Sequence, residues 1–141
     1  METVFGPVIS TYSRQQAIED GILVDLTQHP TPQRPDLDDL QKIVKEAGFV
    51  IPVAITAAAF EAAIMPIGGE LPAGQDFNGR LWDVLIVLRH AMRQHRELFA
   101  RIDFTVSVFD GQKGNDVALA AIVGPGDHAE PVLTIMLPNE D

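Results

Sequence analysis

The chain has 141 residues, of which 46% are hydrophobic, no cysteine, and ten basic against twenty acidic residues, for a formal net charge of −10. This length is sufficient for one domain with one buried core. The absence of cysteine excludes disulfides, thiolate nucleophiles and cysteine-bound metals, and the acidic balance disfavours direct contact with nucleic acid.

The first predicted elements are a short helix and a strand. Ser13 and Gln16 have the spacing of a capping box, so we expect a helix over residues 14–20. Gly21 can adopt the left-handed conformation that ends a helix, and the apolar residues of 22–27 predict a strand.

The next two elements follow a proline-rich loop. Asp36 is the expected N-cap of a helix over 37–47, which has an apolar face and ends at Gly48. Residues 49–55 predict a strand, but they contain Pro52. Because proline has no backbone N–H to donate to a ladder, we expect this strand at a sheet edge or at a bulge.

Two further helices are predicted before the C-terminal strands. Thr56 is the expected N-cap of a helix over 57–65, and a glycine-rich loop at 66–79 separates it from the longest helix, 79–99. That helix carries one apolar stripe, which predicts a buried face. The stripe contains Leu81, Val84, Leu85, Leu88, Ala91, Met92, Leu98 and Phe99, with one histidine, His95, among them.

The C-terminal part predicts three strands, at 101–109, 117–123 and 131–137. The first alternates apolar and polar residues, whereas the second is apolar on both faces and so is expected inside the sheet. Short connections predict an antiparallel meander, with a type II turn over residues 124–127.

Taken together, these elements predict one α+β domain over residues 1–141, an antiparallel sheet made of the C-terminal meander and the N-terminal strands, with helices packed on one face. No apolar stretch approaches the ~20 residues of a membrane span. The first ten residues lack the charged and apolar regions of a signal peptide. We therefore expect a cytoplasmic protein without membrane contact.

Three stretches of the chain are distinctive: YSRQQAIEDGILVD at 12–25, GRLWDVL at 79–85 and EPVLTIMLPNED at 130–141. In these stretches the chain resembles a family of small uncharacterised bacterial proteins carried on plasmids, prophages and integrative conjugative elements. The resemblance supplies no activity and no catalytic residues. It implies an accessory protein of mobile DNA, in a setting where proteins often antagonise or adjust host defence, restriction or replication machinery.

A basic strip is predicted on the longest helix. Arg89, Arg93 and Arg96 are spaced so that they share one helix face, in a segment with few acids. We interpret this strip either as a solvated face or as a surface that docks acidic groups of a partner or of a second copy of the chain. Trp82 is either a core anchor or the aromatic centre of an interface.

A second set of residues would suit an enzyme. Asp83 lies seven residues before His90 on the longest helix, and Asp127 and His128 lie on the last predicted loop. A pocket that gathered these four side chains could support acid–base chemistry. The chain has no motif for a bound metal, a nucleotide or another cofactor, so none is expected.

The sequence favours a non-catalytic interaction protein that presents carboxylates to a basic protein partner. The acids that we expect to serve this role are Asp36, Asp38 and Asp39, with Glu19, Asp20, Asp25, Glu140 and Asp141. Two alternatives stay open: a small enzyme with a pocket between the longest helix and the last hairpin, and a structural homodimer.

Overall fold

A computed structural model describes residues 13–27, 38–65, 71–94 and 101–140, with side chains for all of them except 38–41. Within these ranges no helix is both long and apolar enough to cross a membrane. In chain order the elements are α1 (Arg14–Glu19), β1 (Leu23–Asp25), α2 (Asp38–Glu46), β2 (Val53–Thr56), α3 (Ala57–Ala63), α4 (Phe77–Arg93), β3 (Arg101–Phe109), β4 (Gly114–Pro125) and β5 (Pro131–Met136).

Local capping explains where the helices begin. The predicted capping box is present, since the Ser13 hydroxyl accepts the Gln16 N–H while the Gln16 side chain accepts the Ser13 N–H. Thr56 caps α3 as predicted, and Asp76 caps α4, which therefore begins two residues earlier than expected. The predicted cap Asp36 and the predicted C-terminal end of the longest helix lie outside the described residues.

The described strands form a five-stranded sheet in the order β1-β2-β5-β4-β3. The predicted antiparallel meander of β3, β4 and β5 is present, and the apolar strand β4 lies inside the sheet as expected. The N-terminal strands join it through a parallel pairing of β2 with β5, while β1 pairs antiparallel with β2. The sheet is therefore mixed and mostly antiparallel, and the fold is α+β.

The prediction that the strand at Pro52 lies at a sheet edge or at a bulge was wrong. Strand β2 lies inside the sheet, between β1 and β5, and not at an edge. Pro52 stands directly before β2, where its missing N–H removes no ladder bond. Its carbonyl still accepts a hydrogen bond of 2.8 Å from the N–H of Leu133.

The strand register assigns residues to the two faces of the sheet, because paired residues share a face. The face with Ile55 and Ile135 belongs to the hydrophobic core, together with the apolar stripe of α4. The other face carries Ala54 and Thr134, and the guanidinium of Arg14 donates to the Thr134 hydroxyl. The Arg14 side chain of α1 therefore lies on the face of the sheet opposite the core, whereas all helices were expected on one face.

The turn between β4 and β5 also differs from the prediction. Strand β4 continues through Pro125, so the predicted type II turn over 124–127 does not form. The connection closes instead with a 2.7 Å hydrogen bond from the Gly126 N–H to the Glu130 carbonyl. Ala129 adopts the left-handed conformation, with φ of 65°.

Candidate functional site

The predicted basic strip is split by the fold. The guanidinium of Arg89 donates to the Ala47 carbonyl at 2.6 Å and lies against Gly48, so it ties α4 to the end of α2. Arg93 is exposed, and Arg96 lies outside the described residues. Of the two arginines that can be placed, one therefore has an architectural contact and one faces solvent.

The outer face of α4 carries an exposed aromatic residue. Trp82 is 40% exposed and Ile86, one turn later, is 38% exposed. Asp83 lies on the same side, and partial burial raises the pKa of its carboxyl group. His90 is exposed and its Nε2 lies 3.3 Å from the side-chain nitrogen of Gln94.

The predicted acids of the second helix are only partly placed. Asp38 and Asp39 belong to the first turn of α2 by their backbone, and their side chains are among those not described. Asp36 and Asp141 lie outside the described residues. Glu140 accepts hydrogen bonds from the Thr56 hydroxyl and from the Leu137 N–H.

A polar recess of about 200 Å³ lies between α1 and the β4–β5 loop. Arg14 is one of its lining residues, and its guanidinium donates to the Thr134 hydroxyl at 2.7 Å and to the Leu133 carbonyl at 3.1 Å. Asp25, which is only 7% exposed, and Glu130 line the same recess. Residues more than a hundred positions apart in sequence thus form one polar cluster.

The β4–β5 loop caps the first helix through Asp127. Its two carboxylate oxygens accept the backbone N–H groups of Arg14 and Gln15, at 2.8 and 3.0 Å. Free N–H groups and a partial positive charge at a helix start favour such a carboxylate. The Glu130 carboxylate accepts the His128 N–H at 2.9 Å, which holds the loop in a compact form.

The electrostatics of the recess centre on one arginine and three acids. Burial lowers the pKa of the Arg14 guanidinium, and the charges of Asp25, Asp127 and Glu130 act in the opposite direction. Arginine still stays protonated at neutral pH. The recess therefore contains more negative than positive charge.

The acids of the recess continue along α1. Glu19 accepts a hydrogen bond from the side chain of Gln15, which itself lines the recess. Asp20 is the next residue and the C-cap of α1. We use the term acidic face for Glu19, Asp20, Asp25, Asp127 and Glu130.

The four residues of the enzyme hypothesis are placed on two elements. Asp127 and His128 line the recess, whereas Asp83 and His90 lie on α4 and are not part of its lining. Within the described ranges, no group of three His, Asp or Glu side chains is arranged to hold a metal ion.

Two arginines of the structure were missing from the sequence-based candidates. Arg14 gave no signal, because its contacts are with residues on β5. Arg80 is buried in α4, where it donates to the Phe109 carbonyl at 2.5 Å. Arg80 lies four residues before Val84 and so belongs to the apolar stripe. A charged residue on an apolar stripe is unusual, and this feature of the sequence could have identified Arg80 as a candidate.

Comparison with known proteins gives one match. A family model described as a family of unknown function (DUF6573) matches residues 1–141, the whole chain. No curated protein and no solved structure matches the chain.

Proposed function

Since the chain belongs to DUF6573, a family without a known function, we propose from its surface that it is a non-catalytic protein that binds a basic protein partner. The observation that carries the proposal is the clustering of acids from α1, β1 and the β4–β5 loop. Four carboxylates of the acidic face reach the surface, Asp25 is a fifth that is 7% exposed, and the described lining of the recess contains one guanidinium, that of Arg14. The net charge of −10 gives the whole chain the same preference for a basic partner.

The acidic face combines charge with an ordered framework. Its loop is fixed by hydrogen bonds of Asp127 to α1 and of Glu130 to His128. Ile22, which follows α1 in the chain, is 53% exposed and offers apolar contact area next to the charges. Pre-arranged charges lose less entropy on binding and steer an oppositely charged partner during encounter.

The proposed setting follows from the resemblance to proteins of plasmids, prophages and integrative conjugative elements. We place the protein in the bacterial cytoplasm as an accessory of mobile DNA. There it would modulate or inhibit a basic protein of the host or of the element. Proteins that act on nucleic acid carry basic surfaces, so they are the chemical class that fits this partner.

The test measures binding of a defined basic probe to the acidic face. Fluorescein-labelled oligo-arginine is titrated with the protein and with the double variant Glu19→Gln/Glu130→Gln, at about 50 and about 300 mM NaCl. Both substitutions keep the side-chain oxygen that now accepts a hydrogen bond. We expect the double variant to bind about two- to tenfold more weakly at low salt, and binding to fall at high salt.

The control is a double variant with the same change of charge on other elements, Glu46→Gln/Asp116→Asn. Both of these residues are exposed, on α2 and on β4. If the two double variants lose affinity equally, the attraction belongs to the net charge and not to the acidic face. That result would refute the proposed site.

A further inference from the structure

Arg80 is a buried charge that the described chain leaves without a counter-ion. Arg80 is only 7% exposed, and its guanidinium donates a hydrogen bond to the backbone carbonyl of Phe109. Its Nε–H is buried and has no hydrogen-bond partner. Among the described residues no carboxylate forms an ion pair with it.

A buried guanidinium without a counter-ion is unfavourable for the folded protein. Charged groups are rarely buried without a partner, because desolvation of the charge is then not compensated. The pKa of Arg80 is accordingly lowered by burial. An apolar side chain at this position would therefore make the ligand-free protein more stable.

Arg80 lines an open pocket of about 550 Å³ between α3, α4 and the end of β3. The other walls include the apolar residues Leu71, Pro72, Val108 and Phe109. Pockets of this size, with mostly apolar walls and few polar groups, are typical of sites for small molecules. Here the wall supplies apolar contact, and Arg80 supplies positive charge.

We propose that this pocket binds a small organic carboxylate whose apolar body packs against the wall and whose carboxylate pairs with Arg80. A guanidinium is the side chain that best matches a carboxylate, since it can donate two parallel hydrogen bonds. The ligand supplies the counter-ion that the described chain does not. The described lining of this pocket contains no residue of the acidic face, so a negative test of one proposal leaves the other unaffected.

The pocket also selects against anions of higher charge. Glu61 and Asp110 belong to its lining. Asp110 accepts hydrogen bonds from the N–H groups of Gln112 and Lys113 and from the Asn115 side chain, which lower the pKa of its carboxyl group. The pocket therefore repels phosphates and nucleotides more strongly than a ligand with a single negative charge.

The experiment compares three probes by calorimetric titration of the whole protein: phenylacetate, its neutral analogue phenylacetamide, and inorganic phosphate. We expect saturable binding of phenylacetate, with at least about tenfold weaker binding of the other two. Arg80→Met should weaken phenylacetate binding by a similar factor. The matched control Arg93→Met, an exposed arginine of the same helix, should leave it unchanged.

The stability of the free protein gives a second readout. Because Arg80→Met removes a buried unpaired charge, we expect its melting temperature in the absence of ligand to be equal to or above that of the wild type. A purely structural arginine would instead lower the melting temperature on substitution. If Arg80→Met does not fold, wild-type NMR spectra still decide, since phenylacetate should shift the amide signals of Leu71, Phe109 and Asp110.

Several results would overturn the proposal. Equal binding of phenylacetate and phenylacetamide would show that the charge has no role. Equal binding by the wild type and by Arg80→Met, or amide shifts away from the pocket, would place the ligand elsewhere. No saturable binding of phenylacetate by the wild type would refute the proposed site.

Discussion

The contact of Arg89 with Gly48 makes a quantitative prediction about how α2 is joined to α4. Gly48 has φ of +96°, and a Cβ atom at this position would lie 1.7 Å from Nη1 of Arg89. The substitution Gly48→Ala therefore has two effects. It forces alanine into a left-handed conformation, and it displaces the guanidinium from the Ala47 carbonyl.

The two effects have different sizes and can be separated. A left-handed conformation costs alanine about 1–2 kcal/mol. The displaced hydrogen bond has a charged donor, so its loss costs about 1.5–3 kcal/mol. We expect Gly48→Ala to destabilise the protein by about 3–4 kcal/mol. Arg89→Ala should cost about 2 kcal/mol, and in that background Gly48→Ala should retain only its conformational cost.

The assay is a double-mutant cycle from urea unfolding of the wild type, the two single variants and the double variant. The expected coupling free energy is about 2 kcal/mol, because the hydrogen bond can be lost only once. Gly74→Ala is the matched control, since Gly74 has φ of +84° and nothing within 4 Å of a Cβ position. Additivity of Gly48→Ala and Arg89→Ala, within about 0.5 kcal/mol, would refute the reasoning.

Two further predictions concern single carboxylates. Asp127→Ala should cost about 1–2 kcal/mol and speed hydrogen exchange of the Arg14 and Gln15 amides, because both lose their acceptor; unchanged exchange by NMR would contradict the capping role, and Asp116→Ala is the exposed control. The pKa of Asp110 is lowered by hydrogen bonds from the Lys113 N–H and from other donors, so its contribution to stability is present above its ordinary pKa of 3.8 and is lost as the pH falls through the folded-state value. Thermal unfolding should therefore show the wild type more stable than Asp110→Asn at neutral pH, with the difference shrinking as the pH falls below 3.8. A difference that does not change with pH would contradict this prediction.

The local sequence was sufficient for the features that depend on near neighbours. The capping box of Ser13 and Gln16 and the cap at Thr56 involve residues three positions apart, and both form. Gly21 and Gly48 adopt positive φ angles after their helices. The alternation of apolar and polar residues in β3 and the apolar run of β4 indicate which faces of these strands are buried. The interior position of β4 in the meander could therefore also be predicted.

Tertiary structure decided the features that join distant parts of the chain. The parallel pairing of β2 with β5 places Pro52 before an interior strand, and a proline in the sequence could not reveal which strand would pair with its neighbours. The sequence analysis gave Arg14 no role, yet its guanidinium donates hydrogen bonds to two residues of β5.

The same limit applies to Arg80, because only the folded chain shows whether a charge has met a counter-ion. Capping and periodicity depend on backbone geometry within one or two turns, which the order of residues dictates directly. Charges from different elements meet only after the sheet has assembled, so the composition of a recess or a pocket follows from topology. The sequence therefore determined the elements and their buried faces, and the tertiary structure decided which polar side chains share a site.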